Sequence, residues 1–135
     1  MRVVLDANVI IAAFAARGLC QAVFESCLDN HDLFVSDPLL TEITRNLKKK
    51  LKVPAETINE IERFLRSHAT VVEPANVDVG VCSDEKDLVV LGTALAAGAS
   101  YLVTGDHGLQ EVKQYGGFSI LSPRAFWGKM RKRPR

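Results

Sequence analysis

Short apolar runs alternate along this chain with longer stretches of helical period, and most of the runs close on a polar residue. Val3, Val4 and Leu5 end at Asp6; residues 33–35 end at Ser36; residues 101–103 lead into Thr104, Gly105 and Asp106. Runs this short and apolar predict buried strands, and residues 70–72 and 118–121 add two further ones. Between them the period changes. Val9, Ile10, Ile11 and Phe14, then Ala22, Val23, Phe24, Cys27 and Leu28, recur at helical spacing, broken by Arg17-Gly18 and stopped by Asp29-Asn30. Ser36-Asp37-Pro38 is a strong helix start, and Leu39, Leu40, Ile43 and Leu47 form the stripe behind it. Pro54 restarts a helix with Ile58, Ile61, Phe64 and Leu65 on one face, so that the two helices read as a hairpin projecting from the domain. Residues 88–98 are apolar on almost every side and close on Gly98, a helix leading into the 101–103 strand. Residues 107–114 read as a short helix or turn broken by Gly116-Gly117, and Pro123 starts a last helical turn with Phe126 and Trp127. This rhythm predicts an α/β fold around a mainly parallel sheet of four to five strands.

Open α/β sheets hold their ligands beyond the carboxyl ends of the strands, and two runs deliver a carboxylate there. If the first run and the 101–103 run are parallel neighbours, Asp6 and Asp106 arrive at one edge. Two carboxylates brought together repel, so their convergence calls for a cation between them. A single Asp after a strand is more simply a helix cap or turn residue. More acids precede other apolar segments, however. Glu42 lies on the flank of the helix that follows the second strand, aimed at the same edge. Asp84, Glu85 and Asp87 crowd the start of the 88–98 helix. Asp84 as cap and Asp87 as the acid completing a capping box would account for two of them, yet the crowding exceeds what capping requires. One of these acids facing the sheet edge would be a fourth carboxylate. All-oxygen donors of this kind select Mg²⁺ or Mn²⁺ over zinc, for which no Cys/His cluster is present.

With 135 residues, 47% of them hydrophobic, the chain suits one domain, placed over residues 1–128, with 129–135 expected to be a disordered basic tail. No basic-then-apolar leader and no run of membrane-spanning length is visible, which gives the expectation of a soluble, cytoplasmic protein without a membrane partner. Cys20, Cys27 and Cys82 are an odd number without metal-ligand spacing and read as buried small hydrophobes in a reducing compartment. The net charge of +1 conceals an asymmetry. Up to Glu111 ten Lys and Arg face sixteen Asp and Glu, a balance of −6, and every charged residue after it is basic. A second basic cluster, Arg45, Lys48, Lys49 and Lys50, closes one predicted helix. Basic helix ends serve solubility in many proteins, but beside an acidic site they also suit an enzyme that acts on a polyanion.

These pieces, VVLDANV at 3–9, SDPLLTEI at 36–43, DEKDLVVLGTALAAGASYLVTGD at 84–106 and ILSPRAFW at 120–127, together resemble a PIN domain of the VapC-like toxin kind found in bacterial toxin–antitoxin pairs. The resemblance implies a three-layer α/β/α fold. It places the family's four acids on Asp6, Glu42, Asp87 and Asp106 as catalytic residues and metal ligands, with Asn8, Asp84 and Thr104 in support. It implies cleavage of single-stranded RNA with Mg²⁺ or Mn²⁺ to leave a 5′-phosphate, a cognate antitoxin partner and a homodimer, and it gives Arg45, Lys48, Lys49 and Lys50 the nucleic-acid backbone as partner. Many members carry another Asp where Gly108 stands, a departure that weakens the second of two metal sites more than the first. A haloacid-dehalogenase-like phosphatase would need an acid where Asn8 stands, a response-regulator receiver lacks its acid pair, and neither a Walker loop nor a dinucleotide glycine motif is present. The non-enzymatic alternative is a degenerate PIN-like module that binds RNA or protein without cutting.

Overall fold

The computed structural model describes residues 1–82 and 84–131. Six strands form one sheet in the order β3-β2-β1-β4-β6-β5. They are β1 (Arg2–Leu5), β2 (Asp32–Val35), β3 (Thr70–Val71), β4 (Tyr101–Val103), β5 (Gln114–Tyr115) and β6 (Phe118–Leu121). The first four and β6 run parallel, and β5 pairs antiparallel with β6. Helices α1 (Ala7–Ala15), α2 (Leu19–Asn30), α3 (Asp37–Lys49), α4 (Ala55–His68), α5 (Glu85–Ala97), α6 (His107–Gln110) and α7 (Pro123–Arg131) complete a three-layer α/β/α arrangement.

The apolar runs form strands because both sheet faces are covered, which suits continuous rather than alternating hydrophobicity. Val3, Val4, Leu5, Leu102 and Val103 are all fully buried. β1 and β4 are parallel neighbours, with Leu5 opposite Val103. From β1 the chain builds outward through β2 and β3 on one side, then returns to lay β4 and β6 on the other. The switch point of the sheet therefore lies between β1 and β4, where the carboxyl ends open a crevice for a ligand.

The sheet has six strands where four to five were expected, because β5 adds an antiparallel edge strand, and three further details depart from the reading of the sequence. Gly116 and Gly117 do not merely break a helix: with φ of 54° and 91° they form the tight turn between β5 and β6, where paired left-handed residues match the twist of a hairpin. The second helix of the α3–α4 hairpin does not stand clear of the domain. Ile58 and Leu65 are buried, and the Phe64 ring meets Phe14 and Phe24 at centroid distances of 6.3 Å each. At the C-terminus α7 continues through Lys129 to Arg131, beyond the boundary set at 128, and residues 132–135 of the expected tail lie outside the described residues.

α5 is the central brace. Its buried Gly92 lets the loop after β3 dock on the helix, where the Ala75 amide donates to the Gly92 carbonyl at 2.9 Å. A Cβ there would collide with the Ala75 carbonyl oxygen. Gly92→Ala should lower stability by up to about 2 kcal/mol, because overpacking costs roughly 1–3 and the gain in helix propensity returns about 1. Thermal unfolding followed by circular dichroism measures this directly; a higher melting temperature for the variant would contradict the contact.

Candidate active site

Asp6 and Asp106 each follow a central strand and each caps the helix behind it. The Asp6 carboxylate accepts from the Ala7 amide at 2.7 Å, and that of Asp106 accepts from the Gly108 amide at 2.9 Å. Thr104 joins them. Its buried hydroxyl donates to Asp6 Oδ2 at 2.7 Å and accepts from the Asp106 amide at 3.0 Å. Asn8 closes the same ring: its Nδ2 donates to Asp6 Oδ2 at 3.3 Å while its Oδ1 accepts from the Gly105 amide at 2.9 Å. Neighbouring strand ends are thus clamped by side chains from both of them. Gln110 adds a strut that the sequence did not reveal, its Nε2 donating to the Thr104 carbonyl at 2.7 Å.

α3 and α5 bring the remaining acids. Ser36 caps α3, accepting from the Leu39 amide at 3.4 Å, and its hydroxyl lies 2.7 Å from that of Thr93 in α5. The Thr93 hydroxyl donates to the Val89 carbonyl at 2.8 Å, which leaves Ser36 as the donor between the two. This buried pair fixes the start of α3 against α5. Glu42, half-buried in the second turn of α3, consequently faces Asp6 and Asp84. Asp84 is the α5 cap, accepting from the Lys86 amide at 2.9 Å. Asp87, the other half of the expected capping box, turns to the sheet edge instead, where the charges of Asp106, Asp84 and Asp6 act on it.

The electrostatics record this convergence. Burial raises the Asp6 carboxyl above its ordinary range; the bonds from Thr104 and Ala7 oppose that, and the charge of Asp106 adds to it. Glu42 is raised by burial and by Asp6, with Lys86 and Arg45 pulling the other way. Asp87 is pushed up to about 6, first by burial, then by the charges of Asp106, Asp84 and Asp6. Among the described residues, no group of three or more His, Cys, Asp or Glu side chains stands ready-made to hold a metal ion. The donors nevertheless suit a hard dication in kind: all are carboxylate oxygens, and they oppose one another's charge in a way that a cation would relieve.

The pH dependence of the metal-free protein should show that strain. Asp87 has a folded value of about 6 against an ordinary 3.8. As pH rises through this window the unfolded chain releases its proton first, so the wild type loses stability that Asp87→Asn does not lose. Asp87 is only partly buried, and solvent screening reduces the effect to about 1 kcal/mol. In EDTA the variant should gain on wild type in melting temperature between about pH 4 and 6.5, the span from the ordinary to the raised value; a gap that stays constant over that range would show that neither burial nor the neighbouring acids raise Asp87.

The cation cluster lies on the exposed side of α3. Arg45, Lys48, Lys49 and Lys50 are all exposed, and of the four only Arg45 reaches toward the acids through Glu42. Lys86, one residue before Asp87, is a second cation at Glu42, and nothing in the local pattern distinguished it from the helix cap around it. Of the three cysteines, all free, Cys27 is buried and its thiol is pushed up to about 12 by that burial, while Cys20 and Cys82 are half-buried.

The PIN domain family matches residues 2–108, and the chain belongs to that family. Its fold is shared with solved structures at low identity. VapBC2 from Rickettsia felis, bound to a DNA fragment from their promoter, is 15% identical with a TM-score of 0.64, covering 90% of this chain and 98% of that one. PAE2754 from Pyrobaculum aerophilum is 16% identical with a TM-score of 0.68, covering 98% of this chain and 91% of that one. No curated protein sequence matches the chain significantly. Among the described residues no single helix is long and apolar enough to cross a membrane; α1 and α2 meet that test only as a pair bent by 107°.

Proposed function

We propose that this chain is a divalent-metal-dependent endoribonuclease that cleaves single-stranded RNA, the toxin member of a cytoplasmic toxin–antitoxin pair. The observation that carries the reading is the meeting of Asp6, Glu42, Asp87 and Asp106 at the switch point of the sheet, on elements held together by Thr104, Asn8 and Ser36. These four acids would hold Mg²⁺ or Mn²⁺, which when bound supplies charge neutralisation at the phosphate and a more acidic water. The Asp6 carboxylate is held by the Ala7 amide and the Thr104 hydroxyl, and that of Asp106 by the Gly108 amide, so little reorganisation is needed before the reaction. Asp87, beside Asp106, would complete the ligand set from the α5 side. Arg45 and Lys48 supply charge for the RNA backbone. Gly108 offers only its amide, so the acid set rests on these four residues.

The family membership supports the fold and the type of site, and the resemblance to VapC-like toxins supports the antitoxin and a homodimer. The exposed rings of Phe14 and Phe64, and the exposed Leu19 in α2, offer apolar surface to such a partner. A degenerate module that binds without cutting would have no need of four mutually repelling acids. The purified chain incubated with a panel of single-stranded RNAs should cut in Mg²⁺ or Mn²⁺ and not in EDTA. Cleavage that EDTA leaves untouched would refute the metal site.

A further inference from the structure

Beside the acid cluster, α3 and α5 enclose a groove of about 240 Å³ lined by Pro38, Thr41, Glu42, Arg45, Lys86 and Val89. A second groove, of about 380 Å³, lies between α3 and α4 and is bordered by Arg45, Lys48, Val53 and Ile58, with Glu62 as the one acid in its lining. The two share Thr41 and Arg45, so they adjoin along α3. From Glu42 the adjoining grooves lead between cations from two different helices and on to Val53 and Ile58. Among the described residues neither Lys86, Arg45 nor Lys48 is held in a salt bridge, whereas Arg66 of α4 engages Asp37 at 2.7 Å and the groove's own Glu62 at 3.1 Å, which offsets that acid's charge.

We infer that this groove is the track for the RNA strand on one side of the cut, with Lys86 and Arg45 gripping the phosphate next to the scissile one from opposite helices and Lys48 following further along. The inference rests on the proposed nuclease reading and adds to it the position of the strand and a role for Lys86. A polyanion is favoured over an acidic peptide because the track begins at the acids themselves. There a metal-neutralised phosphate has a natural place, and a polyanion with one charge on every backbone unit can engage all the cations along the track, which the scattered carboxylates of a peptide do not match. Lys86 is exposed in the first turn of α5, where a helix N-terminus is poorly served by a cation, so its placement asks for a reason outside helix stability. Val53 and Ile58 give bases an apolar surface to lie on.

The test is fluorescence anisotropy of a labelled single-stranded RNA on the full chain carrying Asp106→Asn, in Mg²⁺ over a series of salt concentrations, with wild-type cleavage run in parallel. Adding Lys86→Gln or Arg45→Gln should weaken binding about three- to tenfold and reduce the salt slope by about 0.7 for each phosphate no longer neutralised. Lys129→Gln, far from the groove, should change neither. Wild type that cuts RNA while Lys86→Gln and Arg45→Gln bind like their parent would overturn the track and leave the nuclease standing. Wild type that neither binds nor cuts would overturn both. Binding of an acidic peptide that depends on Lys86 and Arg45, where RNA binding does not, would reassign the groove to a protein partner.

Discussion

Asp6→Asn and Asp106→Asn should each abolish RNA cleavage while leaving the fold intact. Both side chains keep their structural work after the change, because an amide oxygen still accepts from the Ala7 or Gly108 amide and Asn caps a helix as well as Asp does. What disappears is charge. An amide is a weaker, neutral ligand for a hard dication, and the loss should exceed the roughly 10–100-fold that removal of an outer hydrogen-bond partner costs. Asp87→Asn and Glu42→Gln should be nearly as severe, and Asp84→Asn milder, since Asp84 is occupied as the α5 cap. Cleavage gels on each variant, with circular dichroism to confirm folding, separate this from a purely structural role, in which all five variants would cut like wild type.

Thr104→Val should damage both stability and activity, and Thr104→Ser should restore both. The hydroxyl is buried and spans the two strand ends, so Val leaves Asp6 Oδ2 without its shortest bond and the Asp106 amide without its acceptor. A bond to a charged group is worth about 1.5–3 kcal/mol, and the loss of a residue that orients a ligand costs about 10–100-fold in activity. Asp6 would also hold a proton more tightly, because the Thr104 bond now opposes its burial. Melting temperatures and cleavage rates of the two variants check this; a Val variant as active as wild type would show that Asp6 needs no support from β4.

Asp6 and Asp106 were legible in the chain because each directly ends an apolar run, and parallel strands put their carboxyl ends on one side of a sheet. Glu42 followed from the Ser36-Asp37-Pro38 start, which fixes where the second turn of α3 begins. Asp84 and Asp87 could not be separated by spacing alone: either could complete the cap, and only the packing of α5 against β1 turns Asp87 inward. Lys86 was hidden among those acids, its partner Glu42 lying on another helix. The Ser36–Thr93 and Gln110–Thr104 bonds depend on tertiary contacts that no local pattern encodes. The β5–β6 hairpin escaped because two residues are too few for a strand period, and a glycine pair ends a helix as readily as it turns a hairpin.

If water directed by this acid cluster attacks phosphorus, the chemical ends of the RNA fragments made in Mn²⁺ record it most directly. A 5′-phosphate and a 3′-hydroxyl on the wild-type products, absent from an Asp106→Asn preparation purified alongside, are the predicted result. Fragments ending in a 2′,3′-cyclic phosphate would mean attack by the RNA's own 2′-hydroxyl, and would contradict hydrolysis by a water held at these acids.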